Sequence, residues 1–276
     1  MRDNRFLMIC LVVPALLLVI ALFIYPLAFS LVTAFEREGA WTFANFTKAY
    51  DFYSLDIYFT VIIIGISTVL IGMISVAIGG YLTLGENPLA VAILKWLYRW
   101  PLFIPFIVAG QLMRTFLAKN GMMNNMFIEA GLLEPLQATS FLDWRGIVIT
   151  FVWKQTPFVA LLVAGAMASL NRSTIEAARN LGAKRLRILL QIVVPQVQQT
   201  LSVGLILSFV TMMSVLSVPM MLNAKTPTML TVDMAFRINS YGDYGVANAL
   251  GFISYLMTGV VAWVYLRQGV RKGGAP

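Results

Sequence analysis

Histidine is absent from the 276 residues and cysteine occurs once, at Cys10. Without histidine there is no Ser-His-Asp triad and no imidazole zinc set, and one cysteine makes neither an internal disulfide nor a thiolate cluster. Cys10 lies in an apolar stretch and reads as a small packing residue. No Gly-x-x-x-x-Gly-Lys-Ser/Thr run occurs, so the chain has no P-loop with which to cradle nucleotide phosphates. Charge is scarce as well. Asp, Glu, Lys and Arg together make 12% of the residues, where an ordinary soluble domain carries roughly a quarter.

What is present is apolar: 59% of residues are hydrophobic and the mean hydropathy is +0.82. A spanning helix needs about 20 mostly apolar residues, and six windows meet that need, at residues 7–34, 57–84, 93–118, 146–170, 198–222 and 245–266. The first belongs to a charge-free stretch over residues 6–35, longer than the roughly 7–15-residue apolar core of a cleaved signal peptide. It is therefore retained as a span. The fold class this implies is all-α, a polytopic membrane protein with about six transmembrane helices in a single domain over residues 1–276.

Charges in the connections orient the spans, because Lys and Arg are retained on the cytoplasmic side. Residues 36–56 hold Glu36, Glu38, Asp51 and Asp56 against Arg37 and Lys48, and read as outside. Lys95 and Arg99 against Glu86 read as inside. The connection after the fourth window carries Arg172, Arg179, Lys184, Arg185 and Arg187 against Glu176 alone, the strongest inside signal in the chain. Alternation then puts both termini in the cytoplasm. The net charge of +8 is explained by topology and anionic lipid, which leaves no nucleic-acid partner to invoke.

That basic connection also has helix signals. Ser173-Thr174-Ile175-Glu176 fits a capping box, in which the Ser173 hydroxyl and the Glu176 carboxylate satisfy free amides at a helix start. Ala177, Ala178 and Leu181 continue the helix, and Gly182 suits the left-handed residue that ends it. A second short helix is predicted from Ala183 to about Ile192, with Leu186, Leu189 and Leu190 on one side, before Pro195 opens the fifth span. The product is an amphipathic hairpin over residues 172–192. Its small Ala177 and Ala178 permit close approach of a partner.

At these residues the chain resembles the permease subunits of binding-protein-dependent ABC importers, whose hallmark is Glu-Ala-Ala, three residues, Gly, nine residues, then Ile-x-Leu-Pro. Here Glu176-Ala177-Ala178, Gly182, Ile192 and Pro195 stand at that spacing, with Val194 in place of the leucine. The match covers about twenty residues. Weaker likeness to six-span carbohydrate permeases runs through Gly121-Met122-Met123-Asn124, Gly131-Leu132, the stretch from Trp153 to Phe158 and the stretch from Tyr244 to Leu250. Asn223-Ala224-Lys225-Thr226-Pro227 departs from the Gly-Gly-Pro turn of many sugar permeases, which keeps polyamine-type and other organic solutes open.

The resemblance implies a multi-pass protein of a bacterial-type cytoplasmic membrane, a type I importer permease that performs no bond chemistry and holds no cofactor. Its implied partners are a second permease, identical or distinct, two cytoplasmic ATPase subunits that bind ATP and Mg, and an extracytoplasmic solute-binding protein. The hairpin would sit in a groove of an ATPase subunit, with Ser173, Glu176, Ala177, Ala178, Gly182 and Ala183 as the coupling residues. A six-span channel shares the layout without needing an ATPase, but has no use for this motif. A polytopic membrane enzyme is disfavoured by the missing histidine and by the lack of clustered intramembrane carboxylates.

Candidates for solute contact are Lys154, Gln155 and Thr156 in the fourth window and Ser208, Thr211 and Ser214 in the fifth. A charge inside a span is costly and faces protein or water, although snorkelling is an alternative for Lys154. Hydroxyls three apart share a helix face. In membranes Ser and Thr also serve packing or bond back to their own helix.

Overall fold

The computed structural model describes residues 12–223 and 225–273, which leaves Cys10 and the start of the first window outside the described residues. Among these, five helices are long and apolar enough to cross a membrane: α1, Val12–Phe35; α2, Ala44–Leu84; α6, Trp144–Ala168; α8, Arg185–Ser214; and the part Tyr244–Trp263 of α11, Tyr244–Gly273. A sixth crossing is made only if two helices bent by 108° count as one, the pair covering Pro88–Phe103 and Phe106–Glu129.

That bend corrects the reading of residues 93–118 as a straight span. The segment is α3, Pro88–Leu97, a 3-10 turn, Trp100–Phe103, α4, Phe106–Leu117, and then α5, Met122–Glu129. Pro101 and Pro105 bring no amide proton, and a residue before proline is pushed out of the α region. Ile104, with ψ 122°, is extended for that reason.

Two other prolines are absorbed without a break. π-Turns at Ile20–Ile24 and Leu189–Val193 end two residues before Pro26 and Pro195. The carbonyl four residues before each proline, that of Leu22 or Gln191, belongs to the widened turn, where the ring would otherwise collide. The fifth window therefore begins well before residue 198 and stops at Ser214, followed by a separate α9, Ser217–Leu222. The second window likewise extends upstream. At 41 residues α2 is about 60 Å long, roughly twice the hydrocarbon thickness.

The chain divides into two compact units. One comprises the chain up to Ser54 together with Asp233–Leu256. In it the Asn45 amide donates to the carbonyls of Thr33, Ala34 and Glu36, satisfying acceptors that the end of α1 leaves open. Phe35 packs edge-on against Phe43 and Phe252 beside the short hairpin β1, Glu36–Arg37, and β2, Ala40–Trp41. Asp243 accepts from Lys48 at 2.7 Å and from the Val246 amide at the start of α11. Burial pushes the Asp243 carboxyl up, but Lys48 and then Arg237 outweigh it and hold the carboxyl below the ordinary range. A depressed carboxyl stabilises the fold above its unfolded pKa, and that contribution disappears as pH falls through the folded value.

The second unit holds residues 55–232 and the chain from Met257 onward. Its core runs from Ile63, Ile64 and Ile71 on α2 through Phe151, Val159 and Val163 on α6 to Val193, Val197 and Met212 on α8. Gly204 lets α8 press on α6, because a side chain there would meet Val159 and Leu162 at 3.3–3.4 Å. Asp56 and Thr60 of α2 accept from the amides of Thr228 and Leu230, at 2.6 and 3.0 Å, fixing the start of α10, Leu230–Tyr241.

Candidate functional site

The basic connection folds as an elbow. Its first arm is α7, Arg172–Asn180, and its second is the beginning of α8. The expected capping box on Ser173 is not formed. Asn171 caps the helix instead, accepting from the Ser173 amide at 3.0 Å and from the Ser173 hydroxyl at 2.8 Å. Helix start therefore falls earlier than predicted, and Ser173, within the first turn, spends its hydroxyl proton on the cap. Asn171→Ala is expected to cost about 1 kcal/mol of α7 stability. Amide hydrogen exchange at Ser173 and Thr174 should then quicken about fivefold, with Ser173→Ala giving a smaller change.

The other end of α7 meets its prediction. Gly182 has φ +81°, its amide donates to the Arg179 carbonyl at 2.8 Å, and the Ala183 amide reaches back to Ala178 at 3.0 Å. Both bonds of a Schellman closure are present. Ile175 is buried and anchors the helix, while Ala178 and Ala183 are half-buried against the core. Glu176 and Ala177 are exposed, and Leu181 at the tip is 88% exposed. Freed from the expected capping duty, Glu176 makes no hydrogen bond or ion pair among the described residues.

The second arm is not a separate helix over residues 183–192, as the sequence reading had it. The π-turn Leu189–Val193 carries it through Pro195 into α8 with no joint. Arg179 donates to the Leu84 carbonyl at 3.3 Å, and Arg185 pairs with Glu86. The elbow is thus tied to the end of α2 and continuous with α8.

The solute candidates separate into two sets. Lys154 is only 7% exposed, donates to the Leu102 carbonyl at 3.1 Å and lies 5.1 Å from the Phe106 ring centre. No carboxylate pairs with it among the described residues. Its contacts are with the broken segment α3–α4, so it faces protein and does not snorkel. Gln155 Nε2, Thr156 Oγ1 and Ser208 Oγ are buried with no hydrogen-bond partner among the described residues. Gly204, one turn before Ser208, packs on Val159, which lies one turn after Gln155 on α6. By contrast Thr211 and Ser214 bond back to the Leu207 and Val210 carbonyls and do not join this set. The sequence reading missed Ser67, buried and likewise unpartnered, and Ser75, which donates to the Thr156 carbonyl at 3.4 Å.

No protein-family model matches the chain. Over 291 residues, 96% of this chain and 91% of the relative, it is 26% identical to the sulfoquinovosyl glycerol transport system permease protein of Agrobacterium fabrum. It is 21% identical to the spermidine/putrescine transport system permease protein of Escherichia coli over 82% of each. Among solved structures, a chain of a bacterial ABC transporter for import of the acidic polysaccharide alginate superposes with a TM-score of 0.82 at 19% identity. The superposition covers 98% of this chain and 96% of that one. The chain has the fold of an ABC importer permease and is similar in sequence to ABC transport system permeases. This permease fold also appears, at a TM-score of 0.58, in the MetNI methionine ABC transporter. One alginate transporter structure is a complex with an alginate-bound periplasmic protein.

Proposed function

We propose that this permease is a membrane subunit of an ATP-driven importer of a small polar organic solute, a carbohydrate, working by alternating access. The observation that carries the reading is the elbow: a capped α7, closed by Gly182, that offers unpaired Glu176 and bare Leu181 while anchored by Ile175 and continuous with α8. The exposed tip, with Leu181 beside the carboxylate of Glu176 and the arginines of α7, suits a partner surface that offers both apolar and charged contacts. A cytoplasmic ATPase subunit, which would bind ATP and Mg, supplies it, while a second permease completes the pathway and an extracytoplasmic binding protein delivers the solute. Both termini lie in the cytoplasm and the membrane is a bacterial inner membrane. This chain has no P-loop and itself breaks no bond.

A sugar is favoured by the relative that matches 96% of this chain, named for sulfoquinovosyl glycerol transport, and by the fold match to the alginate importer. The polyamine reading fits the site less well, because a polycation would meet buried Lys154 with no carboxylate beside it. Glu176→Ala in the reconstituted complex is expected to lower solute-stimulated ATP hydrolysis and uptake about tenfold, the loss typical of one charge-assisted contact. Full stimulation in that variant, with equal insertion, would refute the docking role.

A further inference from the structure

A cavity of about 590 Å³ opens where the ends of α2, α3, α6 and α7 meet, on the face that the connection charges assign to the cytoplasm. Its lining includes Lys95, Arg99, Arg172 and Arg179, with Glu176 the one carboxylate. None of these four cations has an acidic partner among the described residues, although Lys48, Arg145, Arg185 and Arg237 all do. Among the described residues Arg99 donates to the Tyr98 hydroxyl and Arg179 to the Leu84 carbonyl, neither of them an acid. Four cations against the one carboxylate leave the hollow with a net positive charge, which an entering anion would offset.

We propose that this cavity binds the phosphate group of an anionic glycerophospholipid. The helix that presents Lys95 also presents Trp96, and Arg99 and Trp100 follow directly after its end; both tryptophans are exposed, with ring centres 4.8 Å apart. Leu89, Ile93 and Leu97 of α3 are exposed too. Paired tryptophans beside bare aliphatic side chains mark the membrane–water boundary, so Lys95 and Arg99 stand at headgroup depth. The nearest plentiful anion at that depth is a lipid phosphate. Arg172, Ile175, Glu176 and Arg179 of α7 line the same cavity, so a bound headgroup contacts the elbow and steadies it. Lipid binding depends on these residues alone and not on the coupling reading.

The test uses the purified full chain, with no ATPase present, titrated with phosphatidylglycerol or phosphatidylcholine and read by native mass spectrometry. The wild type should retain one phosphatidylglycerol in preference to phosphatidylcholine. With each basic group near the surface contributing about 1 kcal/mol, the double variant Lys95→Gln/Arg99→Gln should bind it about thirtyfold more weakly. Lys95→Arg/Arg99→Lys should stay within about threefold of wild type, which separates lost charge from lost fold. Equal affinity for the two lipids, or equal binding by the glutamine variant, overturns the proposal. Displacement of the lipid by millimolar inorganic phosphate assigns the cavity to a soluble phosphate and overturns the lipid source. Because no ATPase takes part, loss of lipid preference and loss of coupling are scored separately.

Discussion

Gly182→Val should abolish coupled uptake in the reconstituted transporter while the chain remains inserted at normal level. The position has φ +81°, and a side chain built there meets nothing within 4 Å, so the cost is one of backbone conformation and not of collision within the chain. A residue with a Cβ pays about 1–2 kcal/mol in the left-handed region, and a β-branched residue pays more. That strain acts on the two amide bonds that close α7, from Gly182 to Arg179 and from Ala183 to Ala178. If the closure opens, Leu181 and Glu176 lose their fixed relation to the start of α8, and force on the tip no longer reaches the long helix. A graded series follows. Gly182→Asn should keep most activity, since asparagine tolerates this region, Gly182→Ala should lose about five- to thirtyfold, and valine more. Uptake and solute-stimulated ATP hydrolysis measured on the three variants at matched membrane content would show it. Equal activity of the valine and asparagine variants would mean that the turn does not set the elbow's geometry.

The part of this architecture that composition and spacing made legible is the part written locally. Six apolar windows, a basic connection and a glycine at the right distance from Glu-Ala-Ala led to the long helices and to the left-handed turn at Gly182. The misreadings also have local causes. Asn171 and Ser173 are both good caps two residues apart, and spacing to Glu176 favoured the wrong one. Pro101 and Pro105 marked the bend between α3 and α4, but the window stayed apolar across it, and apolarity does not distinguish a straight helix from a broken one. Pro195, expected at the entry to the fifth span, lies inside α8, because the π-turn before it accommodates the ring and keeps the helix continuous. The remainder is long-range. Arg237 donates to Tyr53 across 184 positions and Thr228 to Asp56 across 172, and no periodicity in one chain couples such residues. Of Ser208, Thr211 and Ser214, expected on one face, only Ser208 is buried, because a three-residue step drifts around a 3.6-residue helix.

Lys154→Met is expected to raise the apparent KM for uptake at least tenfold. The ammonium is buried, has no carboxylate partner among the described residues and is held between the Leu102 carbonyl and the Phe106 ring, next to buried Gln155 and Thr156 with unused hydrogen-bonding atoms. A polar solute arriving there replaces the water that an isolated cation gives up, and a hydrogen bond to a charged donor contributes about 1.5–3 kcal/mol, or roughly 10- to 150-fold in affinity. Lys154 also serves the fold. Removing its Nζ leaves the Leu102 carbonyl at the α3–α4 bend without a donor, a loss of about 1–3 kcal/mol in stability. The two roles part company in the measurement. A purely structural lysine would give lower thermal stability and lower maximal uptake with an unchanged KM, and Lys154→Arg would restore both by donating to Leu102. A solute-contacting lysine gives a raised KM even at temperatures where the variant is fully folded, and the rise shrinks for solute analogues that lack the group it binds. A KM equal to wild type for every analogue, alongside a lowered unfolding temperature, would assign Lys154 to the bend alone and move the solute site away from α6.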